Sequence, residues 1–310
     1  MTGAAGFVGS SLVDALLERG HEVRGVDRFS EYYDTGIKRR NVTRAHESAD
    51  YELSEVDLAE ADVAELIEGA DVVFHQSAQA GVRASWGGEF QVYERDNITS
   101  TQRLLEAVAG SDRPPRVVYA SSSSVYGNAD RYPTVESDLP APHSPYGVTK
   151  LAAEHLCRLY SRNHGVHTVS LRYFTVYGPR QRPDMAFHRL CNAALGGDPF
   201  PLFGDGSAIR DFTYIDDVVE ANLAAARADV APGSVYNIAG GGQISMTEVI
   251  EYLGSLIGSD VPLLREGSQM GDVKRTGGDP SAARTELDWK AQVPVKEGLA
   301  RQLEYHRGLL

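Results

Sequence analysis

Tyr146-Gly147-Val148-Thr149-Lys150 sets a phenol and an ammonium four residues apart, on one face of a helix that begins there. A neighbouring ammonium favours phenolate, which predicts a tyrosine drawn down from its ordinary pKa of about 10 toward neutrality. Such a tyrosine can take a proton from a hydroxyl as a general base. Five of the 30 basic side chains are lysine, and Lys150 alone lies four residues beyond a tyrosine. Upstream, the serines at 121–124 follow the apolar run Arg116-Val117-Val118-Tyr119-Ala120 and precede Val125-Tyr126-Gly127. A hydroxyl at the C-terminal end of a parallel strand lies where ligands bind in such sheets. Without Tyr146, a solvated serine-rich turn would be the better reading.

A second constellation opens the chain. Gly3-Ala4-Ala5-Gly6-Phe7-Val8-Gly9 carries glycines at i, i+3 and i+6 and runs straight into a helical pattern. Glycines at this spacing permit a tight turn and let backbone N–H groups approach a pyrophosphate at a helix N-terminus. Asp27 follows at the end of the next strand, where its carboxylate can accept both hydroxyls of an adenosine ribose and repel a 2′-phosphate. NAD is therefore favoured over NADP, with the neighbouring Arg28 as the one residue that argues the other way. A glycine triplet alone is weak evidence; the acidic residue at its proper distance is what removes the reading as a plain structural turn.

These groups need a scaffold, and the first half of the chain predicts one. Helical spacing over 10–19, 63–68, 97–108 and 151–163 alternates with strand-like runs at 21–27, 71–75, 116–120 and 167–173. That rhythm means βαβ units and a parallel sheet. Only Met1 and Thr2 precede Gly3, although a fingerprint of this kind should follow a central strand. The expectation is that the stated start is internal, with Met1 standing where a strand-ending valine would be. Beyond about residue 175 Pro and Gly cluster and the rhythm breaks, which suits a smaller second domain capping the sheet edge. The expected division is a Rossmann-type, doubly wound α/β domain over 1–175, with a returning segment near 213–238. A mixed α/β substrate-binding domain would cover 176–310.

Thirty Lys+Arg against 43 Asp+Glu leave a net charge of −13, which argues against a nucleic-acid or polybasic membrane-surface protein. No apolar run approaches the roughly 20 residues of a membrane span. Cys157 and Cys191 make neither a disulfide framework nor a zinc motif, and no metal site is expected. The expectation is a reduced, cytoplasmic, soluble protein.

Together the glycine loop, Asp27, Asp57-Leu58, Ser-Ser-Ser-Ser-Val-Tyr-Gly, Ser-Pro-Tyr-Gly-x-x-Lys and the run Gly-Asp-Gly-Ser-x-x-Arg-Asp-Phe-Thr-Tyr-Ile-Asp-Asp from Gly204 resemble the extended short-chain dehydrogenase/reductase family. The similarity covers essentially the whole chain. It implies Ser122 as the catalytic hydroxyl, Tyr146 as the base and Lys150 as its partner, with a positively charged nicotinamide also favouring phenolate. It further implies adenine contacts from Asp57 and Leu58, and a cofactor lining that includes Ser77, Ala78, Gln79, Asn97 and Tyr173. A homodimer through two helices per subunit is the family's expectation.

The family includes nucleotide-sugar epimerases, dehydratases and decarboxylases. Dehydratases resemble one another in an acidic pair just after the catalytic hydroxyl, and decarboxylases in a glutamate at the second position. Here those positions are Ser123 and Ser124. Galactose-type epimerases carry Asn where this chain has Thr175. The run 175–186, Thr-Val-Tyr-Gly-Pro-Arg-Gln-Arg-Pro-Asp-Met-Ala, is similar to UDP-glucuronate 4-epimerases, as are residues 78–83 and Gly271-Asp272-Val273. That likeness implies a UDP-sugar site with Arg83, Ser123, Ser124, Thr175, Arg182 and Asp272. Arg210 would pair with the diphosphate and Phe203 would pack near uracil. For Arg180 and Arg182 an ordinary exposed loop is the competing reading. Other open readings are a UDP-glucose/galactose 4-epimerase, a UDP-glucuronate decarboxylase, or a non-catalytic NAD-sensing protein.

Overall fold

The computed structural model describes residues 1–267 and 275–309. In chain order its first half runs α1 (Phe7–Glu18), β1 (Val23–Val26), α2 (Thr35–Val42), β2 (Tyr51–Ser54), α3 (Val63–Ile67), β3 (Val72–His75), α4 (Phe90–Tyr93), α5 (Ser100–Ala109), β4 (Arg116–Ser122), α6 (Pro145–His164) and β5 (Thr168–Tyr173). The second half adds β6 (Val176–Tyr177), α7 (Ala186–Ala194), β7 (Phe200–Phe203), β8 (Ile209–Asp211), β9 (Thr213–Tyr214), α8 (Ile215–Arg227), β10 (Ser234–Ile238), β11 (Gln243–Ser245), α9 (Met246–Ile257), β12 (Leu263–Glu266), α10 (Ser281–Glu286) and α11 (Val295–Arg307).

The principal sheet is parallel throughout. β1 pairs with β2, and β3, β4, β5 and β10 follow in that order on the other side. Thr2 joins the two groups by bridging to Val26 and to His75. Met1 and Thr2 thus lie where a doubly wound sheet places its first, central strand. Their amides and carbonyls reach both neighbours, through Thr2 N–H to Phe74 O and Val26 N–H to Met1 O. β10 and the preceding α8 return to this sheet from the second half of the chain, with β10 pairing to β5 from Ser234 to Ile238.

Alternation along the strands packs both faces. On β3 and β4, Val73, Val117 and Tyr119 face a core shared with Leu104, Leu105 and Val108 of α5 and with Ala153 and Cys157 of α6. Phe74 and Val118 point the other way, into a core with Leu12 and Val13 of α1 and Val218 and Ala221 of α8. This second core continues without a break through Phe187, Phe212 and Leu253 to Leu299 and Leu303 of α11. The late Pro/Gly-rich segment is therefore anchored on the sheet's own apolar face.

The start of α6 matters most for chemistry. Ser144 at the N-cap accepts the Gly147 N–H at 3.1 Å, Pro145 supplies a preset φ, and Gly165 in the left-handed region (φ 69°) ends the helix. The helix therefore begins six residues before the stretch its strongest formers marked, taking Tyr146 and Lys150 into its first turns. Gly147 is required by contact: a Cβ there would fall 2.6 Å from the Ser124 carbonyl oxygen.

Glu154 of α6 is fully buried and forms a two-point ion pair with Arg172 of β5, at 2.6 Å and 3.0 Å, while the Ser121 hydroxyl of β4 donates to it at 2.7 Å. Burial works to lower the Arg172 pKa, yet the Glu154 hydrogen bonds and charge raise it, so the guanidinium stays charged. Glu154→Leu should strand that charge and cost about 3–5 kcal/mol of stability. The double variant Glu154→Leu/Arg172→Met should recover a substantial part. Urea unfolding of the three proteins checks both; a single variant as stable as wild type would remove the pair from the fold's support.

Candidate active site

A cleft of about 800 Å³ opens over the C-terminal ends of the parallel strands. Thr2, Asp27, Gln76, Ser122 and Tyr173, each at or just past a strand end, line it. This is the position the topology of such sheets reserves for ligands.

One end is built from the glycine loop. Gly3 has φ 67°, and a Cβ on it would sit 2.8 Å from the Ser77 nitrogen; a Cβ on Gly9 would sit 1.9 Å from the Gly3 oxygen. Backbone must approach backbone here, so no side chain fits. Gly6 stands at the N-cap of α1 with no side chain to occupy the amides of the first turn, and Gly6, Phe7, Val8 and Gly9 all face the cleft. An anion suits that end of the helix dipole. The Ser77 hydroxyl, buried in the same wall, has no hydrogen-bond partner among the described residues. Asp27 accepts the Ala5 N–H at 3.0 Å and the Phe29 N–H at 2.8 Å, one per oxygen, which leaves lone pairs for two ribose hydroxyls. Arg28 no longer argues for a 2′-phosphate. Its guanidinium is tied to Asp57 at 3.0 Å and, through its other terminal nitrogen, to Asp96. The donor set fits NAD.

Asp57, Leu58, Ser77, Ala78, Gln79 and Tyr173 line the cleft as expected from the sequence. Asp57 is also the hub of a charged rim; against burial, the Ala59 N–H at 2.9 Å, Arg95 at 2.7 Å and Arg28 at 3.0 Å hold its carboxyl below the usual range. Asn97 is placed differently from the expectation. It is buried behind the lining, where its side chain pairs with both backbone groups of Gln79 (2.7 and 3.0 Å) and donates to Thr149 of α6 at 2.9 Å. It positions the wall and does not form its surface.

At the other end Ser122, Tyr146 and Lys150 converge. Ser122 closes β4; its oxygen accepts the Ser124 N–H at 3.1 Å, and its hydroxyl lies near enough to the Tyr146 phenol to favour phenolate. The expectation of a lowered tyrosine pKa takes Lys150 and a positively charged nicotinamide together; the protein side chains by themselves leave Tyr146 raised. Burial raises Tyr146 above its ordinary value; the Ser122 hydrogen bond and the Arg182 charge act in the opposite direction. Lys150 is itself held down to about 7 by burial, its ammonium 4.9 Å from the Tyr119 ring centroid. Loss of solvation is the largest cause at both groups, Lys150 being buried and Tyr146 half-buried in the cleft wall.

Arg83, Ser123, Ser124, Thr175, Arg182, Phe203 and Arg210 all line the cleft. The Arg83 guanidinium lies 4.1 Å over the Phe203 ring, and Arg210 donates to the Ile209 carbonyl at 3.0 Å. Arg180 turns away to Asp14 of α1, at 2.7 Å, so neither arginine of this loop is simply solvated. Asp272 lies outside the described residues. Sequence reasoning missed Tyr32, Tyr33, Lys38, Asp184 and Arg189, which also line the cleft. Lysine scarcity was the available signal for Lys38, which is 5% exposed and donates to Ser30 at 2.8 and 2.9 Å. Among the described lining residues seven cations face four carboxylates, a local positive field in an acidic protein.

Residues 1–239 match the NAD dependent epimerase/dehydratase family, and the chain belongs to it. The chain is 41% identical to a UDP-glucuronic acid 4-epimerase from Bacillus cereus solved in complex with UDP-glucuronic acid and NAD. The TM-score is 0.95, with 100% of this chain and 98% of the other covered. It is 35% identical over 313 residues to the UDP-glucuronate 4-epimerase of Thermodesulfobacterium geofontis (strain OPF15), covering 99% and 95% of the two chains. It is 40% identical over 306 residues, covering 98% and 96%, to YtcB of Bacillus subtilis (strain 168), described as an uncharacterized UDP-glucose epimerase. The fold class and family expected from the sequence motifs are thereby correct.

Ser122→Ala removes a hydroxyl that favours the phenolate, so the Tyr146 pKa should rise. A general base works above its pKa. The acidic limb of the pH–kcat profile is therefore expected to move to higher pH in this variant; a limb that stays in place would remove Ser122 from control of the base.

Proposed function

We propose that this chain is a UDP-glucuronate 4-epimerase, interconverting UDP-glucuronate and UDP-galacturonate through a transient 4-keto sugar. The observation that carries the reading is Arg182, a guanidinium in the cleft wall close enough for its charge to act on the Tyr146 phenol. A neutral sugar needs no guanidinium edge at the reacting end; a uronate carboxylate does. The full-length similarity to an enzyme solved with UDP-glucuronic acid and NAD supports it.

Bound NAD supplies a hydride acceptor and, from its reduced form, a hydride donor, so it is regenerated in each cycle and should stay bound. Tyr146 takes the 4-hydroxyl proton as the C4 hydrogen leaves as hydride, and it returns a proton when hydride is delivered to the opposite face. Ser122 hydrogen-bonds the same oxygen. Lys150, four residues along α6, holds the proton balance at the phenol. Between the two half-reactions the keto sugar must turn about its diphosphate, which Arg210 and Arg83 would hold.

The uronate brings a hazard that explains the arginine. A 4-keto uronate is a β-keto acid: if the C5–C6 bond aligns with the carbonyl π system it breaks, its electron pair becomes the C4–C5 enolate, and CO₂ departs. Arg182, with hydroxyls from Thr175 and Ser123 or Ser124, would clamp the carboxylate out of that alignment through charge-assisted hydrogen bonds. Within this reading residues 1–175 with 213–238 hold the cofactor, and the remainder of 176–310 holds the UDP-sugar. A homodimer fits the exposed Val148 and Leu159 on α6 and the exposed Trp86 and Phe90 nearby. Two free, buried cysteines suit a cytoplasmic protein. No helix among the described residues is long and apolar enough to cross a membrane.

Incubation with UDP-glucuronate should yield UDP-galacturonate, with little UDP-xylose and CO₂; UDP-glucose converted in preference would favour the neutral-sugar reading that the Bacillus subtilis relative's description suggests. Arg182→Ala should lower kcat/KM for the uronate on the order of 100-fold or divert product toward decarboxylation, with the fold intact by circular dichroism. Unchanged kcat/KM and product profile would take Arg182 out of the mechanism.

A further inference from the structure

We infer that Asp184 is a positioning residue that fixes the Arg182 guanidinium in a carboxylate-receiving orientation and thereby decides between epimerisation and decarboxylation. This rests on the proposed function.

Asp184 accepts from Arg182 at two points, Nε to Oδ1 at 3.0 Å and Nη2 to Oδ2 at 2.9 Å. A guanidinium has five N–H donors in one plane. The fork to Asp184 uses the Nε edge and one Nη2 hydrogen, leaving both Nη1 hydrogens and one on Nη2. Those three define the opposite edge, which can present two parallel donors to a second carboxylate.

The local backbone builds this fork. Arg182-Pro183-Asp184-Met185 is a turn closed by the Met185 N–H to the Arg182 carbonyl at 3.1 Å. Pro183 presets φ at the second position of the turn and holds Arg182 extended. Side chains two residues apart are thus brought together on the cleft side, where Arg182 and Asp184 both line the wall. Tyr32, in the loop before α2, lies close enough for the charges of both Asp184 and Arg182 to act on its hydroxyl.

Electrostatics gives the pair a second consequence. Arg182 and Asp184 together are neutral, so the clamp discriminates by the geometry of its free edge more than by net charge. A neutral sugar would meet a satisfied ion pair and gain little. A uronate carboxylate would meet two parallel donors. Loss of Asp184 would leave a more strongly cationic but unaimed arginine that binds an anion without holding its C5–C6 bond out of line with the C4 carbonyl.

The test is Asp184→Asn, with Asp184→Glu as the charge-retaining companion, each confirmed folded by thermal melting. Purified proteins are given UDP-glucuronate, and UDP-galacturonate is quantified against CO₂ and pentose product. Binding of UDP-glucose is measured alongside. Asp184→Asn is expected to shift the partition toward CO₂ at least tenfold and to lower kcat more than it raises KM. Its UDP-glucose affinity should stay within twofold of wild type, and Asp184→Glu should fall between. Asp184→Asn with the partition and kcat of an active wild type overturns this role alone. Equal losses in UDP-glucose binding and uronate turnover also overturn it, as a merely structural effect. A wild-type protein that does not epimerise UDP-glucuronate overturns it together with the proposed function.

Discussion

Glu154 is a carboxylate with no access to water, and its demand for partners organises the reacting end of the molecule. An unpaired charge at that depth would be far too costly to keep, so α6, β4 and β5 must meet there with Arg172 and Ser121 in place. Arg172 passes the constraint on, donating to the Tyr126 hydroxyl at 2.7 Å, which in turn donates to Asn237 of β10 at 2.7 Å. Ser121 precedes Ser122, and Glu154 lies one turn beyond Lys150. The ion pair therefore sets the spacing between the strand that carries the hydroxyl and the helix that carries the phenol and the ammonium. Proton transfer needs that spacing held to a fraction of an ångström.

Loss of solvation also bears on the acid–base groups, completely at Lys150 and in part at Tyr146. Burial pushes Tyr146 up and Lys150 down, the wrong way for a phenolate and its supporting ammonium. The groups that favour phenolate are Ser122 and Arg182, which reach the ring from β4 and from the loop after β6. A base tuned by its hydrogen bond and by the residue proposed to receive the substrate couples proton abstraction to correct substrate seating. The net charge of −13 fits this arrangement, because the positive field is confined to the cleft, where arginines outnumber carboxylates.

Much of this was legible before any coordinates. The period of 3.6 in α1 and the apolar runs of β3 and β4 follow from local patterning, and the glycine loop and Tyr146/Lys150 follow from spacing. α2 and β2 were missed for a physical reason: Thr35–Val42 is mostly polar, and Tyr51–Ser54 is a four-residue edge strand with one fully buried side chain. Asn97 was placed in the lining by the family resemblance alone, whereas its bonds to Gln79 and Thr149 are long-range and invisible to spacing. Lys38 and Asp184 went unread because what matters about them is what folds over them. The loss of solvation that raises the Tyr146 phenol went unread for a related reason, since a motif reports neighbours and not burial.

Arg180 carries the last step. It adopts φ 65°, a conformation that a non-glycine residue takes only when its surroundings compel it, and its side chain is drawn to Asp14 of α1. Its neighbour Gln181 is tied equally firmly, donating to Val176 O at 3.0 Å, accepting the His188 N–H at 2.8 Å and accepting from Gln302 of α11 at 2.9 Å. Two consecutive residues are thus held from α1 on one side and α11 on the other, and Arg182 comes next. The position of the proposed clamp is thus tied to α1, the helix whose glycine-lined N-terminus faces the cleft. A mobile arginine could bind a uronate as tightly, but it could not keep the carboxyl bond out of line with a carbonyl formed one hydride transfer away. Strain at Arg180 is what a fixed arginine at 182 costs.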